Sequence, residues 1–253
     1  RLPEKLLLAR TGKTVLEHTI ERARLALSSG LNWRIIVAVD DRKLLAVARR
    51  AGAEAMLTSQ RHASGADRIA EVAHKIKEDI VVNLQADEPE MDPRNIHLVA
   101  GLLTKRGETA LMATLATPIF DEAIWRKPNV VKTIVNAAGE ALYFSRAPIP
   151  FVRDDASAND CWKIAGKRVY GLHHLGIYAY RREFLLAYKS LPPSKLEQLE
   201  KLEQLRALEA GYRIKVGMAK NHPPGIDTPE DYAAFVARWR RARNDECGMR
   251  NDE

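Results

Sequence analysis

At 253 residues with 46% hydrophobic side chains, the chain is long enough for one large α/β domain or two small ones, which excludes a wholly disordered protein. Lysine and arginine (40) outnumber aspartate and glutamate (33) for a net charge of +7; this suits anionic ligands, but no basic block interleaved with aromatics marks a nucleic acid partner. Cys161 and Cys247 lie far apart without metal-ligand spacing, so neither a disulfide framework nor a zinc site is expected, as fits a reducing cytoplasm; no apolar run of about 18 residues is present to span a bilayer, and a cytoplasmic location is expected.

The chain opens without methionine in the charged, turn-like Arg1-Leu2-Pro3-Glu4-Lys5, which lacks the form of a signal peptide and leads us to expect a preceding segment. Arg1 and Lys5 flank a Leu-Pro pair that sets the chain's direction, and together they could clamp a triphosphate. Residues 14–28 carry Val15, Leu16, Ile20, Ala23 and Leu27 at helical spacing, and the strand 35–39 follows. A helix at 44–50 ends at Gly52, and 55–57 reads as a short strand. Ser64-Gly65-Ala66-Asp67-Arg68 then opens a helix through Ile69, Val72, Ala73 and Ile76. Its first turn gathers free amides, a hydroxyl and a guanidinium, as for a phosphate or nucleotide edge; ordinary capping by Ser64 with an exposed Arg68 is the other reading.

The apolar strand 79–84 is expected to be buried on both faces and to stop at Gln85-Ala86-Asp87-Glu88-Pro89. Asp87 would stand at the mouth of the sheet, where ligands meet the carboxyl ends of strands, or would cap the helix that starts at Pro93. A strand at 110–115 follows that helix. Repeated β and α elements with short connections imply a doubly wound, mostly parallel sheet of Rossmann-like type with right-handed crossovers. Residues 130–136 and 140–145 then form a hairpin around Ala137-Ala138-Gly139, and 172–180 is another strand. Residues 130–180 are therefore expected to form a smaller mixed β region or dimer arm.

Leu196, Leu199, Leu202, Leu205 and Leu208 recur every three residues, so in one helix the stripe would drift by about 60° per step and be buried on more than one side. Glu197, Glu200 and Glu203 share that period and cannot all face solvent; at least one is expected to turn inward to a polar site, or into a satisfied salt bridge. A last strand, Ile214–Met218, precedes Gly225-Ile226-Asp227-Thr228-Pro229-Glu230-Asp231, where Thr228 caps a helix, Pro229 takes its first position and Asp231 completes a box-like pair. Asp227 is left outside the helix. A single domain over 1–244 with a polar, frayed tail at 245–253 is the expected division. Magnesium takes oxygen ligands and keeps several waters, so one or two carboxylates plus substrate phosphates suffice, and Asp87 and Asp227 are the metal candidates.

The segments Arg1-Leu2-Pro3-Glu4-Lys5, Ser64-Gly65-Ala66-Asp67-Arg68, Asn83-Leu84-Gln85-Ala86-Asp87-Glu88-Pro89, Leu142-Tyr143-Phe144-Ser145-Arg146-Ala147-Pro148-Ile149-Pro150, His174-Leu175-Gly176-Ile177-Tyr178-Ala179-Tyr180, Leu202-Glu203-Gln204-Leu205-Arg206 and Gly225-Ile226-Asp227-Thr228-Pro229-Glu230-Asp231, in this order, resemble the 3-deoxy-manno-octulosonate (Kdo) cytidylyltransferases, the CMP-Kdo synthetases. The resemblance runs to about Ala237. It implies a nucleotide-diphospho-sugar transferase type of fold and cytidylyl transfer from CTP to Kdo, giving CMP-Kdo and diphosphate for lipopolysaccharide, in a homodimer. By that resemblance Asp87 and Asp227 hold Mg2+, with Lys5 and Arg146 also catalytic. Arg1, Lys5, Ser64, Gly65, Arg68 and Gln85 bind the nucleotide; Gln85, Arg146, His174, Tyr178, Glu203 and Gln204 surround the sugar acid. No covalent intermediate is expected, because such transfer rests on positioning and electrostatics. Nearby alternatives are a cytidylyltransferase for sialic acid or an amino-substituted Kdo, and a non-catalytic nucleotide-binding homologue.

The sequence also departs from that family. The strand and Pro-Ala-Arg turn that normally precede Arg-Leu-Pro are absent, Glu4 stands where glycine is common, and Ala86 replaces another usual glycine. Glu4 beside a triphosphate is tolerable only if it points away, and Ala86 only if its φ is negative.

Overall fold

The computed structural model describes residues 2–27, 33–62, 65–153, 162–221 and 224–249. After a 3-10 turn at Lys5–Leu7 come α1 (Val15–Leu27), β1 (Ile36–Val39), α2 (Arg42–Arg50), β2 (Glu54–Leu57), α3 (Gly65–Ala73), β3 (Ile80–Asn83), α4 (Pro93–Thr104), β4 (Met112–Ile119) and α5 (Glu122–Trp125). The hairpin β5 (Lys132–Val135) and β6 (Ala141–Ser145) and the ribbon β7 (Lys163–Ile164) and β8 (Lys167–Arg168) lead into the long β9 (Gly171–Arg181). The chain closes with α6 (Arg182–Tyr188), α7 (Lys195–Glu200), α8 (Gln204–Glu209), β10 (Ile214–Met218) and α9 (Pro229–Met249). It divides into two compact units, Arg1–Ser59 with Gln85–Pro93 and Pro223–Glu253, and Gln60–Leu84 with Arg94–His222.

In the first unit β1 and β2 pair in parallel from Ile36↔Glu54 to Val39↔Leu57. Helix α1 starts at a capping box, in which Glu17 N–H donates to Thr14 Oγ1 (3.1 Å) and Thr14 N–H donates to the Glu17 carboxylate (2.6 Å). Its apolar residues serve two clusters: Leu16 and Ile20 meet Val47 and Ala48 of α2, while Val15 meets Ile226, Tyr232, Phe235 and Val236 around α9. The loop 85–93 is tied down by Thr19 Oγ1 donating to Ala86 O (2.8 Å), Arg22 Nε to Met91 O (2.7 Å) and a forked Arg238–Glu90 pair. At α9, Asp231 N–H donates to Thr228 Oγ1 (3.1 Å) and Thr228 N–H to the Asp231 carboxylate (2.9 Å), the box read from the sequence. The helix continues to Met249, since nothing after Pro229 breaks it before Gly248.

The second unit holds a six-stranded sheet of order β10-β4-β9-β5-β6, with β3 also on β9. Strands β3, β4, β5 and β10 run one way; β9 and β6 oppose them, so β9 is an antiparallel strand inserted among parallel ones. The expected hairpin is β5–β6, joined to the sheet through Lys132↔His173 and Thr133↔Leu172, and with β7–β8 it makes the mixed β region. One expectation changes here. Among the described strands β3 pairs only with β9, so Ile80, Val81 and Val82 stay partly exposed, and only Asn83 is buried.

The leucine stripe also folds otherwise than expected. Lys201 takes a left-handed conformation (φ 55°) that ends α7, and α8 starts afresh at Gln204, so two short helices replace one. Leu202 and Leu205 are buried while Leu199 is exposed, because the break lets the chain redirect the stripe instead of carrying it around a single cylinder. Each glutamate finds its own partner: Glu197 is forked by Arg206 (2.6 and 2.7 Å), Glu200 accepts from Ser145 Oγ (2.6 Å), and Glu203 accepts from main-chain N–H groups of α3. The Arg206 guanidinium also lies 4.8 Å from the Tyr188 ring centre.

Glu197→Gln leaves Arg206 buried without its counter-charge and should cost about 3 kcal/mol, read by urea unfolding. Glu4 holds φ 47° and its carboxylate turns to Lys43 (2.9 Å), an exposed pair of little value. Glu4→Gly should therefore raise stability by about 1 kcal/mol in the same measurement; an unchanged midpoint would show the strain to be absent.

Candidate active site

In the first unit, three stretches remote in sequence meet at one atom. Lys5 Nζ donates to Asp87 Oδ2 (2.5 Å), to Asp227 Oδ1 (2.8 Å) and to Ile226 O (2.7 Å). The turn at Lys5–Leu7 positions the lysine, the loop beyond β3 carries Asp87, and the capping of α9 by Thr228 and Asp231 leaves the Asp227 side chain for the lysine. Ile226 N–H donates to Asp87 O (3.0 Å), and Leu2 N–H to Asp227 O (3.3 Å), so the main chains are joined as well. Gly225 lies close to Glu88: a Cβ there would lie 2.9 Å from Glu88 Oε1, so a larger residue would displace that carboxylate.

Burial lowers the Lys5 pKa, but its hydrogen bonds to Asp227 and Asp87 and their charges outweigh this and hold it above its ordinary value. Burial and the neighbouring charges of Asp87 and Asp227 push the Glu88 carboxyl up to about 8, against the lowering effect of Lys5. Asp87 and Asp227 thus converge on one cationic point. Among the described residues no group of three or more His, Cys, Asp or Glu side chains forms a metal cage. Two carboxylates without a closed cage fit a hard cation that keeps waters or substrate oxygens, as magnesium does. Gln85 lies exposed on the same loop, and Ala86 avoids positive φ, the condition for replacing glycine. Arg1 and Ser64 lie outside the described residues.

The second unit brings the expected sugar residues into three groups. His174 and Tyr178 are neighbours on β9, with ring centres 5.4 Å apart, and Phe144 packs edge-on to His174 at 4.9 Å. Thr114 Oγ1 lies 3.0 Å from His174 Nε2 and 2.8 Å from Ile177 O, beside the β4–β9 bulge. With its one proton given to the carbonyl, the hydroxyl accepts from His174, which assigns a proton to Nε2. Burial, then the Glu203 charge, raises the Tyr178 phenol pKa.

Around α3, Glu203 accepts from Gly65 N–H (3.2 Å) and Ala66 N–H (3.1 Å). The helix N-terminus read as an anion edge therefore holds an anion of the chain itself. Arg68 lies on the same helix. Gln204, next to Glu203, is 3% exposed, and its Nε2 is buried without a hydrogen-bond partner, the only such side-chain atom among the described residues. An orphaned amide donor costs about 1–3 kcal/mol, an expense that a ligand acceptor would remove.

Arg146, in the third group, donates from Nε to Glu200 O (2.7 Å) and from Nη1 to Pro128 O (3.2 Å), while its main-chain N–H donates to the Glu200 carboxylate (2.9 Å). Sequence reasoning missed Thr114, Glu88 and Glu200 as partners of these residues. Only the shared period of the glutamates hinted at Glu200, and nothing local marks Thr114, whose register on β4 places it against β9.

A family model described as cytidylyltransferase matches residues 1–214. The chain is 47% identical over 235 residues to a 3-deoxy-manno-octulosonate cytidylyltransferase of Polynucleobacter necessarius, covering 91% of this chain and 87% of the relative. It is also 47% identical over 247 residues to one of Xanthomonas campestris, covering 96% of each. A solved structure of CMP:2-keto-3-deoxy-manno-octonic acid synthetase complexed with CTP superposes with a TM-score of 0.85 at 38% identity, covering 96% of this chain and 94% of the other.

Glu203→Ala removes the acceptor of two α3 amides and should lower stability by about 1 kcal/mol in urea unfolding, the usual effect of losing a helix cap. An unchanged midpoint would show that water serves those amides equally well.

Proposed function

Because the chain belongs to the 3-deoxy-manno-octulosonate cytidylyltransferases, a family of nucleotidyltransferases, we propose that it transfers a cytidylyl group from CTP to Kdo, releasing diphosphate and CMP-Kdo for lipopolysaccharide synthesis. The observation that carries this reading is the convergence of Asp87 and Asp227 on the Lys5 ammonium. Asp87 and Asp227 would hold Mg2+, which when bound orients the triphosphate, screens its charge and lowers the pKa of a coordinated hydroxyl.

The remaining roles fall to the chain's own groups. Lys5 supplies a positive charge for the triphosphate, with Arg1, Ser64, Gly65, Arg68 and Gln85 assigned to the nucleotide. Arg146 provides a fork suited to the Kdo carboxylate. His174, Tyr178 and Glu203 offer polar groups to the sugar hydroxyls, and the orphaned Gln204 amide offers a donor whose own demand a sugar oxygen would meet. Kdo and CTP are both anions, so the cationic groups reduce their repulsion and leave the attack on the α-phosphorus to positioning, without a covalent intermediate.

No helix among the described residues is long and apolar enough to cross a membrane, and we assign the chain to the cytoplasm, where CTP is available. A homodimer is part of the same reading: Phe120, Leu142, Phe151, Val152 and Trp162 of the second unit are exposed large apolar side chains that a second copy would cover.

With CTP and Mg2+, pyrophosphate release is expected to require Kdo and not to occur with sialic acid; the opposite pattern rejects the acceptor. Asp87→Asn and Asp227→Asn should each lower kcat by roughly 100-fold or more while melting within a few degrees of the parent. Near-parental turnover in either variant removes that carboxylate from the reaction.

A further inference from the structure

Among the described residues, Lys132 is the one lysine buried in the core. It opens β5 between Ser145 of β6 and His173 of β9, and it is 0% exposed. Its Nζ donates to Lys127 O (3.0 Å), Val130 O (2.6 Å) and Arg146 O (2.6 Å). An ammonium has three protons, and all three are committed to main-chain carbonyls, so this group has none left for a substrate. Burying an ammonium is costly, its three carbonyl partners offset that cost, and an apolar side chain in its place would leave all three without this donor.

What the charge accomplishes is local. Two of its acceptors belong to the turn 127–130 that enters β5, and the third is the carbonyl of Arg146 at the end of β6. Pro128 O, within that same turn, accepts from Arg146 Nη1 (3.2 Å). The main chain and the guanidinium of Arg146 therefore both rest on pieces that one ammonium holds together. Val131 O, the next carbonyl along, accepts from His174 N–H (2.8 Å), so the strand segment carrying His174 is fastened to the same stretch.

We propose that Lys132 is a positioning residue for acid-sugar binding: its ammonium clamps the turn 127–130 to the end of β6 and thereby sets where the Arg146 guanidinium points. This rests on the role given above to Arg146. Lys132 itself does not touch the substrate; it acts through Arg146, with a smaller effect through the main chain at His174.

The test is steady-state kinetics of Lys132→Met with Kdo and CTP varied separately, beside Arg146→Gln and circular-dichroism melts. The KM for Kdo should rise about 10-fold, as for lost binding of that substrate, while the KM for CTP stays within about twofold. A residue needed only for packing would lower the active fraction, and so kcat, without that split. A folded Lys132→Met with an unchanged KM for Kdo overturns the proposal. If Arg146→Gln also leaves that KM unchanged, the role of Arg146 fails with it; if Arg146→Gln raises it, only the clamp fails. Should Lys132→Met not fold, Lys132→Gln, which keeps two donors, carries the same comparison, and failure of both to fold overturns the proposal in favour of a packing role.

Discussion

A single ammonium joined to two aspartates is the contact that ties three remote stretches of the first unit together. Lys5, Asp87 and Asp227 come from stretches separated by 82 and 222 positions, and each arrives by ordinary local structure: a one-turn helix, a loop beyond a strand, and a residue displaced from a helix cap. Like charges do not gather without a reason. Burial, and after it the charges of Asp87 and Asp227, push Glu88 up to about 8, and Lys5 is the counter-ion that works against this. The same geometry that needs a lysine in the free protein suits a divalent cation and a triphosphate, because both problems are the neutralisation of converging oxygens.

The second unit addresses a different problem, holding polar side chains in an apolar surrounding. Phe144, Tyr180, Phe184 and Leu205 form its core, and the polar groups at its margin are almost all committed: Glu200 to Ser145 and Arg146, Glu203 to α3, Lys132 to three carbonyls. Against that background the unmet Gln204 amide stands out. A network of satisfied donors keeps its side chains in place, and among the described residues the Gln204 amide is the one buried side-chain donor left outside it.

Elements with a strong period or a clear stop were legible in the sequence. The box at Thr228 and Asp231, the hairpin around Ala137-Ala138-Gly139 and the α/β alternation all depend on neighbours within a few residues, and they lie where expected. The leucine run misled because periodicity assumes an unbroken helix; a left-handed Lys201 is allowed by its local contacts and leaves no mark in the pattern. Strand β3 misled in another way, since apolar content reports what a strand could bury and not how many partners it pairs with.

The sequence by itself determined the class of fold, the order of its elements and the family, through short motifs whose chemistry is local: a turn acid, a helix cap, a hairpin loop. Only the tertiary structure decided which of the evenly spaced glutamates serves which partner, that Asp87 and Asp227 share one cation, and that Lys132 underlies Arg146. Those pairings join residues from 9 to more than 100 positions apart and on different elements, and which of them meet is set by the packing of whole elements, which no local pattern encodes.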